Sequence, residues 1–178
     1  MKYNTLFLDR DGVINRRKIG GYITSVDEFE FLPGVLDAIT KLSSHFEHIF
    51  VVTNQQCIGK GIITVEELSH IHKYMTDQIQ QNGGRVDKIY FSPNLASENN
   101  ISRKPNPGMA YQAKEDFPVI DLSKSIMVGD SLSDMQFGKN AGMKTVFLHN
   151  GQTINDPISS LSDEIYENLA DFAGNGIE

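Results

Sequence analysis

Residues 6–12 of the chain read Leu6-Phe7-Leu8-Asp9-Arg10-Asp11-Gly12, an apolar run that ends directly in two acids and a glycine. Three consecutive apolar residues are typical of a strand that is buried on both faces of a parallel sheet. Gly12 allows the chain to turn sharply where that strand ends. Asp9 and Asp11 are therefore expected at the carboxyl edge of the sheet, where open α/β folds bind their ligands.

Two carboxylates this close in the chain repel each other unless a cation or a proton lies between them. The pair therefore suggests a divalent metal ion and covalent chemistry on a carboxylate. Acids are also common in turns, so the alternative interpretation is that Asp9 and Asp11 only end a strand at a solvated turn. This motif alone favours neither interpretation.

The composition is that of an ordinary soluble globular protein, with 178 residues of which 39% are hydrophobic and 22% are charged. We therefore expect one domain over residues 1–178. The single cysteine, Cys57, excludes an internal disulfide and is consistent with a cytoplasmic protein. Asp9 interrupts the first apolar stretch and no run of 18 apolar residues occurs, so we expect neither a signal peptide nor a membrane span.

The formal net charge of −7 argues against a nucleic-acid partner, because such an interface normally needs a basic stripe. It does not argue against a small anionic ligand, which needs only a few local cations. No cluster of thiols is available for a structural zinc site. These features leave a small-molecule enzyme as an open possibility.

Apolar strand-like segments alternate with amphipathic helix-like segments, which predicts a parallel sheet covered by helices on both faces. Strands are predicted over residues 5–9, 49–53, 86–91, 125–128 and 145–148. Helices are predicted from Pro33, from the capping box of Thr64 and Glu67, from Asn106 as a cap with Pro107 in the first turn, over residues 131–140, and once more after Asn150. The fold class is therefore α/β with three layers, α/β/α.

Four polar motifs each follow a predicted strand or begin a predicted helix. They are Asp9-Arg10-Asp11-Gly12, Thr53-Asn54-Gln55, Arg103-Lys104-Pro105 and residues 129–134 (GDSLSD). Their order and spacing over about residues 3–150 resemble the haloacid dehalogenase (HAD) superfamily of phosphohydrolases, which use an aspartate nucleophile. The resemblance implies a Rossmann-like fold, and the segments between the predicted elements are too short for a large cap domain.

Further segments are similar to a narrower group, the heptose-1,7-bisphosphate and histidinol-phosphate phosphatases. These segments are the turn Gly59-Lys60-Gly61, residues 103–109, the pair Gly21-Tyr22 and residues 29–31. Many heptose-bisphosphate phosphatases carry a zinc loop of three cysteines and a histidine before the Arg-Lys-Pro motif. Residues 92–102 contain neither residue type, so no zinc is expected here.

The resemblance implies a catalytic role for four side chains. Asp9 would attack phosphorus and form an aspartyl-phosphate, while Asp11 would protonate the leaving alkoxide and later activate water. Thr53 and Lys104 would hold the oxygens of the transferring phosphoryl group. Mg²⁺ would be bound by Asp9, the backbone carbonyl of Asp11 and Asp130, since hard oxygen ligands suit that ion.

The resemblance also implies a set of substrate-binding residues: Gly21, Tyr22, Asn54, Gln55 and Arg103. Arg103 offers a planar fork for a second anionic or hydroxyl-rich part of the substrate. Asn54 and Gln55 either contact the substrate or cap the loop. Asp134 completes a capping-box pattern with Ser131 and is expected to support the loop of Asp130. Lys60 is expected to be an ordinary surface lysine.

The function predicted from these residues is a magnesium-dependent phosphomonoesterase that acts on a small sugar phosphate, with heptose 1,7-bisphosphate as the first candidate. Histidinol phosphate is the nearest rival substrate. A polynucleotide 3′-phosphatase has similar Thr-Asn-Gln and Arg-Lys-Pro motifs, but the net charge weighs against it. A non-catalytic phosphate-binding scaffold is the alternative outside enzymology, although it would have no chemical need for both leading acids. We expect a cytoplasmic monomer.

Overall fold

A computed structural model of the chain describes residues 3–177. In this part of the chain, six parallel strands form one sheet in the order β3-β2-β1-β4-β5-β6. The strands are β1 (Thr5–Leu8), β2 (His48–Asn54), β3 (Lys88–Ser92), β4 (Ser125–Gly129), β5 (Lys144–Leu148) and β6 (Glu164–Tyr166). The helices are α1 (Val35–His45), α2 (Gln56–Gly59), α3 (Val65–Gln81), α4 (Gly108–Asp116), α5 (Leu132–Asn140), α6 (Asp156–Leu161) and α7 (Leu169–Asn175).

Strand β1 separates two apolar layers, because successive side chains of a strand point to opposite faces of the sheet. Leu6 and Leu8 pack in one layer with the buried faces of α1, α3 and α7. Phe7 packs in the other layer with residues of α4 and with Phe137 of α5. The predicted three-layer α/β/α fold is therefore confirmed.

The central position of β1 creates the ligand-binding edge of the sheet. β1 pairs with β2 on one side and with β4 on the other, so the order of the strands reverses at this point. Open α/β sheets bind ligands at the carboxyl ends of the strands where the order reverses. Asp9, Asn54 and Asp130 lie at or just beyond the ends of these three strands.

Two of the predicted helix starts are confirmed by their capping boxes. Thr64 Oγ1 accepts from the Glu67 backbone N–H at 3.1 Å, and the Glu67 carboxylate accepts from the Thr64 backbone at 2.7 Å. Ser131 and Asp134 form the same reciprocal arrangement at the start of α5. Each box pairs backbone donors that the first helical turn leaves without intrahelical partners.

The predicted cap of α4 is wrong. Pro107 occupies the N-cap position, and no side chain caps this helix. The Asn106 side chain instead donates to the backbone oxygens of Asn99 and Asn100 at 3.3 and 2.9 Å. Asn106 therefore closes the loop before the helix.

The end of the chain is also more structured than the single predicted helix. Within residues 156–175, two short helices flank a sixth strand, which pairs with β5. Helix α7 returns to pack against α1, and Phe172 is fully buried there. No helix in residues 3–177 combines the length and the apolarity needed to cross a membrane.

Candidate active site

A cavity of about 670 Å³ opens at the carboxyl edge of the sheet. Its walls come from residues 9–11 after β1, residues 17–23 of the following loop, residues 53–56 at the end of β2, Lys60, Lys104, and the start of α5. The four polar motifs thus meet around one space. Its size lies in the usual range for sites that bind small molecules.

A buried lysine connects two carboxylates at the floor of this cavity. Lys104 Nζ donates to Asp9 Oδ1 at 2.8 Å, to Asp134 Oδ1 at 2.7 Å and to the Val52 carbonyl at 2.8 Å. Burial opposes the charge of Lys104, but Asp134 and Asp9 outweigh that effect and raise the pKa of Lys104 above its usual value. Its ammonium group therefore stays charged and uses its three donors.

Asp9, Asp130 and Asp134 form an anionic cluster in which each places one carboxylate oxygen within 4.8 Å of the others. Burial and then Asp134 raise the pKa of Asp9, while burial and then Asp9 raise the pKa of Asp130. One lysine does not neutralise three carboxylates. A further cation is therefore favourable at this position.

Arg17 supplies such a cation. Its Nη2 donates to Asp130 Oδ1 at 2.7 Å and to the backbone carbonyl of Asp11 at 3.4 Å. These are two of the three groups predicted to hold Mg²⁺. A Cβ on Gly12 would come within 1.9 Å of Asp130 Oδ2, so only glycine allows this close approach. The donor set of carboxylate and carbonyl oxygens fits Mg²⁺.

Asp11 is held by three side chains. Its Oδ1 accepts from Arg10 Nη2 at 2.9 Å and Asn15 Nδ2 at 3.0 Å, and its Oδ2 accepts from Gln55 Nε2 at 3.0 Å. Burial alone would raise the pKa of Asp11, but the charge of Arg10 and these hydrogen bonds together keep it below its usual value. The carboxylate is thus fixed in orientation.

The last residues of β2 contact both the cavity and the neighbouring loop. Thr53 Oγ1 lies in the wall of the cavity and accepts from Gln55 Nε2 at 2.8 Å. Asn54 also lines the cavity, but both ends of its amide bond the backbone of Lys104, at 3.0 Å each. Asn54 therefore lies in the cavity wall and also holds the Lys104 loop in place.

The outer rim of the cavity is formed by Gly21, Tyr22 and Lys60. The Tyr22 hydroxyl accepts from Lys60 Nζ and from Gln56 Nε2, each at 2.9 Å. Lys60 is exposed, as expected of a surface lysine, and the turn after α2 also brings its side chain onto Tyr22. The glycines on either side of Lys60 were the sequence feature that could have indicated this turn.

Arg103 lies near enough to Tyr22 to interact with it electrostatically, but it is not among the residues that line the described cavity. Its Nη1 donates to the Asn94 carbonyl at 3.1 Å. The loop of residues 92–102 is closed by polar side chains, since Ser102 Oγ lies within hydrogen-bond distance of the side-chain oxygens of Asn94 and Asn100, at 3.0 and 2.9 Å. This network fixes the carbonyl to which Arg103 binds.

Sequence reasoning missed several residues that the fold brings to the site. Asn15 and Arg17 come from the irregular segment after β1, where no periodicity marks single positions. Arg10 stands between the two acids of the first motif, yet nothing showed that it would be buried, with only 1% of its surface exposed. His72 contacts Arg10 from α3. Its spacing from Leu68 predicts only that it lies on the buried face of this helix, and does not predict its partner.

Comparisons with known proteins agree with this geometry. A family model described as HAD-hydrolase-like matches residues 101–172. The D-glycero-alpha-D-manno-heptose-1,7-bisphosphate 7-phosphatase of Mycobacterium bovis is 34% identical over 94% of this chain and 88% of that protein. The protein of the same name from Campylobacter jejuni is 38% identical over 84% of each chain.

A solved structure extends the similarity to three dimensions. The D,D-heptose 1,7-bisphosphate phosphatase from B. bronchiseptica, complexed with magnesium and phosphate, superposes with a TM-score of 0.86 and 30% identity over 98% of both chains. The Rossmann-like sheet, the acidic cluster at its ligand-binding edge and the similarity to these phosphatases together identify the chain as a HAD-type hydrolase. The chain belongs to the HAD-like phosphatase family.

Proposed function

We propose that this phosphatase removes a phosphate group from a small sugar phosphate through an aspartyl-phosphate on Asp9, with Mg²⁺ as its cofactor. The observation that carries the proposal is the position of Asp9, whose carboxylate lies against Lys104 and shares one cluster with Asp130. A nucleophile at Asp9 would therefore be buried between two sites for positive charge. A phosphate dianion needs that charge to approach a carboxylate.

The hydrogen bonds of Asp9 leave one oxygen for attack on phosphorus. Oδ1 accepts from the Arg10 backbone N–H and from Lys104 Nζ, both at 2.8 Å, and no residue in the described part of the chain donates to Oδ2. In the first step, Asp9 forms a bond to phosphorus and the bond from phosphorus to the leaving oxygen breaks. Lys104, whose three donors are taken by protein oxygens, supplies positive charge beside the transferring phosphoryl group, and the Thr53 hydroxyl binds its oxygens.

Asp11 moves the protons in both steps. Its carboxyl group gives a proton to the leaving alkoxide, and its carboxylate then takes a proton from the water that attacks the phosphoenzyme. Asp9 is released as a carboxylate and inorganic phosphate leaves. A bound phosphate dianion raises the pKa of the adjacent Asp11, so substrate binding supplies the protonated form that the first step needs.

The residues that would hold Mg²⁺ are Asp9, the backbone carbonyl of Asp11, and Asp130. When bound, Mg²⁺ reduces the repulsion between the nucleophile and the phosphate and aligns them. The solved relative from B. bronchiseptica is complexed with magnesium and phosphate, which supports this assignment. The contact of Arg17 with two of these groups supports it independently.

We propose D-glycero-D-manno-heptose 1,7-bisphosphate as the substrate, with its 7-phosphate at Asp9. Relatives with alpha and with beta specificity in their names both match this chain, the latter including one from Rhodopseudomonas palustris at 33% identity over 77% of the chain. Lys60 on the rim supplies positive charge for a second phosphate, and Arg103, in electrostatic range of Tyr22, adds to it. The same cations disfavour histidinol phosphate, because its far end carries an amine. This assignment implies a role in carbohydrate metabolism.

We also propose that the chain works as a single-domain cytoplasmic monomer. The packing of α7 against α1 joins the end of the chain to its first helix, which supports one folding unit. The net charge of −7 supports a small substrate over nucleic acid.

A phosphate-release assay tests the proposed function. Both anomers of heptose 1,7-bisphosphate, histidinol phosphate and a 3′-phosphorylated oligonucleotide are compared with Mg²⁺ and after chelation with EDTA. We expect the largest kcat/KM for one heptose bisphosphate anomer, a heptose 1-phosphate product and no turnover after chelation. An equal or larger kcat/KM for histidinol phosphate or the oligonucleotide would contradict the proposed substrate. Full activity without a divalent metal would contradict the proposed cofactor.

A further inference from the structure

We propose that His72 is a positioning residue for the acid–base group Asp11 and that it acts through the buried guanidinium of Arg10. This inference rests on the proposed function, because it presumes that Asp11 transfers the proton. His72 belongs to α3, outside the four motifs, and it does not line the cavity of the described structure. Only the side chain of Arg10 separates it from Asp11.

The link is a buried chain of hydrogen bonds. Arg10 Nη2 donates to Asp11 Oδ1 at 2.9 Å, and Arg10 Nη1 lies 3.1 Å from His72 Nε2. Arg10 Nε has no partner among the described residues, so these two contacts at Nη1 and Nη2 fix the direction of the planar fork. The Phe29 ring, with its centroid 6.0 Å from Arg10 Cζ, covers the guanidinium.

The contact defines the protonation state of His72. Arginine only donates hydrogen bonds, so Nε2 of His72 must accept with its lone pair, and the ring is neutral. Burial, followed by the charge of Arg10, lowers the pKa of His72 to about 3, which keeps the ring neutral at working pH. His72 therefore acts as a fixed hydrogen-bond acceptor. It does not contribute a second positive charge.

The acceptor matters because it determines which oxygen of Asp11 is available. Arg10 and Asn15 occupy Oδ1, which leaves Oδ2, bonded only to Gln55, as the oxygen that exchanges a proton. Without an acceptor at position 72, Arg10 would keep a buried, unpaired N–H donor, which costs free energy. Arg10 would then shift to recover a partner and would release the orientation of Asp11.

Leaving groups of different basicity test this proposal. The ratio kcat/KM reports the reaction up to departure of the leaving group. A sugar alkoxide needs a proton from Asp11 to depart, whereas p-nitrophenolate leaves without one. If Asp11 is no longer held in position, kcat/KM therefore falls more for heptose 1,7-bisphosphate than for p-nitrophenyl phosphate. A general loss of folded enzyme lowers both equally.

The variants are His72→Met, which removes the acceptor, and His72→Gln, which keeps an oxygen near the position of Nε2. We expect His72→Met to lose about 10-fold to 100-fold more kcat/KM on the heptose substrate than on p-nitrophenyl phosphate, and His72→Gln to recover most of this difference. His70→Met on the exposed side of the same helix is the matched control and should change neither value. Melting temperatures show whether each variant is folded, and His72→Leu replaces His72→Met if the latter does not fold.

Two outcomes overturn the proposal. The first is an equal loss on both substrates in His72→Met, and the second is a failure of His72→Gln to restore the difference. Asp11→Asn separates these results from the proposed function, since it should itself show the larger loss on the sugar substrate. If Asp11→Asn affects both substrates equally, the proton-transfer role of Asp11 is wrong and the inference about His72 falls with it.

Discussion

Asp9 is the residue on which the covalent step depends. In Asp9→Asn, the side chain keeps its size but loses the negative charge and the nucleophilic oxygen pair. We expect phosphate release to fall by about 10³-fold or more, because the other carboxylate on Lys104, that of Asp134, is held at the start of α5 by Ser131 and the Asp130 backbone. Release is measured with Mg²⁺ at saturating substrate.

The fold of Asp9→Asn should survive, because the substitution removes one of three mutually repelling carboxylates. Its melting temperature without Mg²⁺ should therefore be no lower than that of the wild type. A folded Asp9→Asn variant with normal turnover would show that another group attacks phosphorus. Acid-stable trapping of the phosphoenzyme on a residue other than Asp9 would have the same meaning.

Gly12 keeps the site open for a cation. Its φ of +88° favours glycine, and an added Cβ would lie 1.9 Å from Asp130 Oδ2. We expect Gly12→Ala to weaken Mg²⁺ binding at least about 10-fold, because Asp130 must move away from the carbonyl of Asp11. Titration calorimetry with Mg²⁺ alone measures this without relying on turnover.

Gly142→Ala is the matched control for Gly12→Ala. Gly142 has a similar φ of +77°, but no heavy atom lies within 4 Å of an added Cβ. Both variants therefore carry the cost of an unfavourable backbone conformation, about 1–2 kcal/mol. Only Gly12→Ala should lose Mg²⁺ affinity. An equal affinity in the two variants would show that Asp130 does not hold the ion.

At the scale of the element, α3 connects a surface cap to the interior of the site. Thr64 caps its first turn, and His72 lies two turns further along. We expect Thr64→Ala to lower the free energy of unfolding by about 1 kcal/mol, since the Glu67 backbone donor loses its acceptor. Urea unfolding curves measure this change.

Thr76→Ala on the same helix is the control for Thr64→Ala. Thr76 Oγ1 bonds back to the His72 carbonyl at 3.1 Å, which does not contribute to a cap. Alanine is the better helix former, so the loss of this bond should cost little. A destabilisation in Thr76→Ala equal to that in Thr64→Ala would mean that the cap contributes nothing specific.

The same local physics explains which elements the sequence could predict. β1 and β2 are continuous apolar runs, and the start of α3 depends on two residues three positions apart, so these were predictable. β6 has three residues and α2 has four, which is too short for either periodicity to appear. Asn106 looked like a cap, but the folded loop offered it closer backbone oxygens.

The residues of the site also divide into those that the sequence could predict and those that it could not. Asp9, Asp11 and Asp130 could be placed together because the carboxyl ends of parallel strands meet at one edge. Lys104, from the loop before α4, was added to them by the resemblance to the HAD phosphohydrolases. The contacts of Arg17 and His72 join segments separated by 113 and 62 positions, and no sequence pattern records such a contact. Residues that tune the site were therefore the ones missed.

At the scale of the whole molecule, the acidic cluster links stability to pH and to Mg²⁺. Burial among Asp9 and Asp134 raises the pKa of Asp130 to about 8, well above the value of 3.8 for an unperturbed side chain. Between these values the native state binds a proton that the unfolded chain has lost. The free energy of unfolding therefore decreases as the pH rises through this range.

His72 acts in the opposite direction below neutral pH. Its pKa is lowered from 6.5 to about 3, so below pH 6.5 the unfolded chain takes up a proton that the native state does not bind. The lowered pKa of Asp11 contributes only at still more acidic pH. The contribution of Asp130 is therefore best isolated between pH 6.5 and 8.

We expect the metal-free protein to lose about 1 kcal/mol of stability between these two pH values, as measured by urea unfolding in the presence of EDTA. Saturating Mg²⁺ should remove this loss, because the ion binds the ionised carboxylates and stabilises the native state most where they are ionised. Asp130→Asn cannot titrate at that position and should show no such loss with EDTA. A metal-free stability that is constant or rises over this range, or a loss that persists in Asp130→Asn, would show that the cluster does not retain a proton in the absence of the ion.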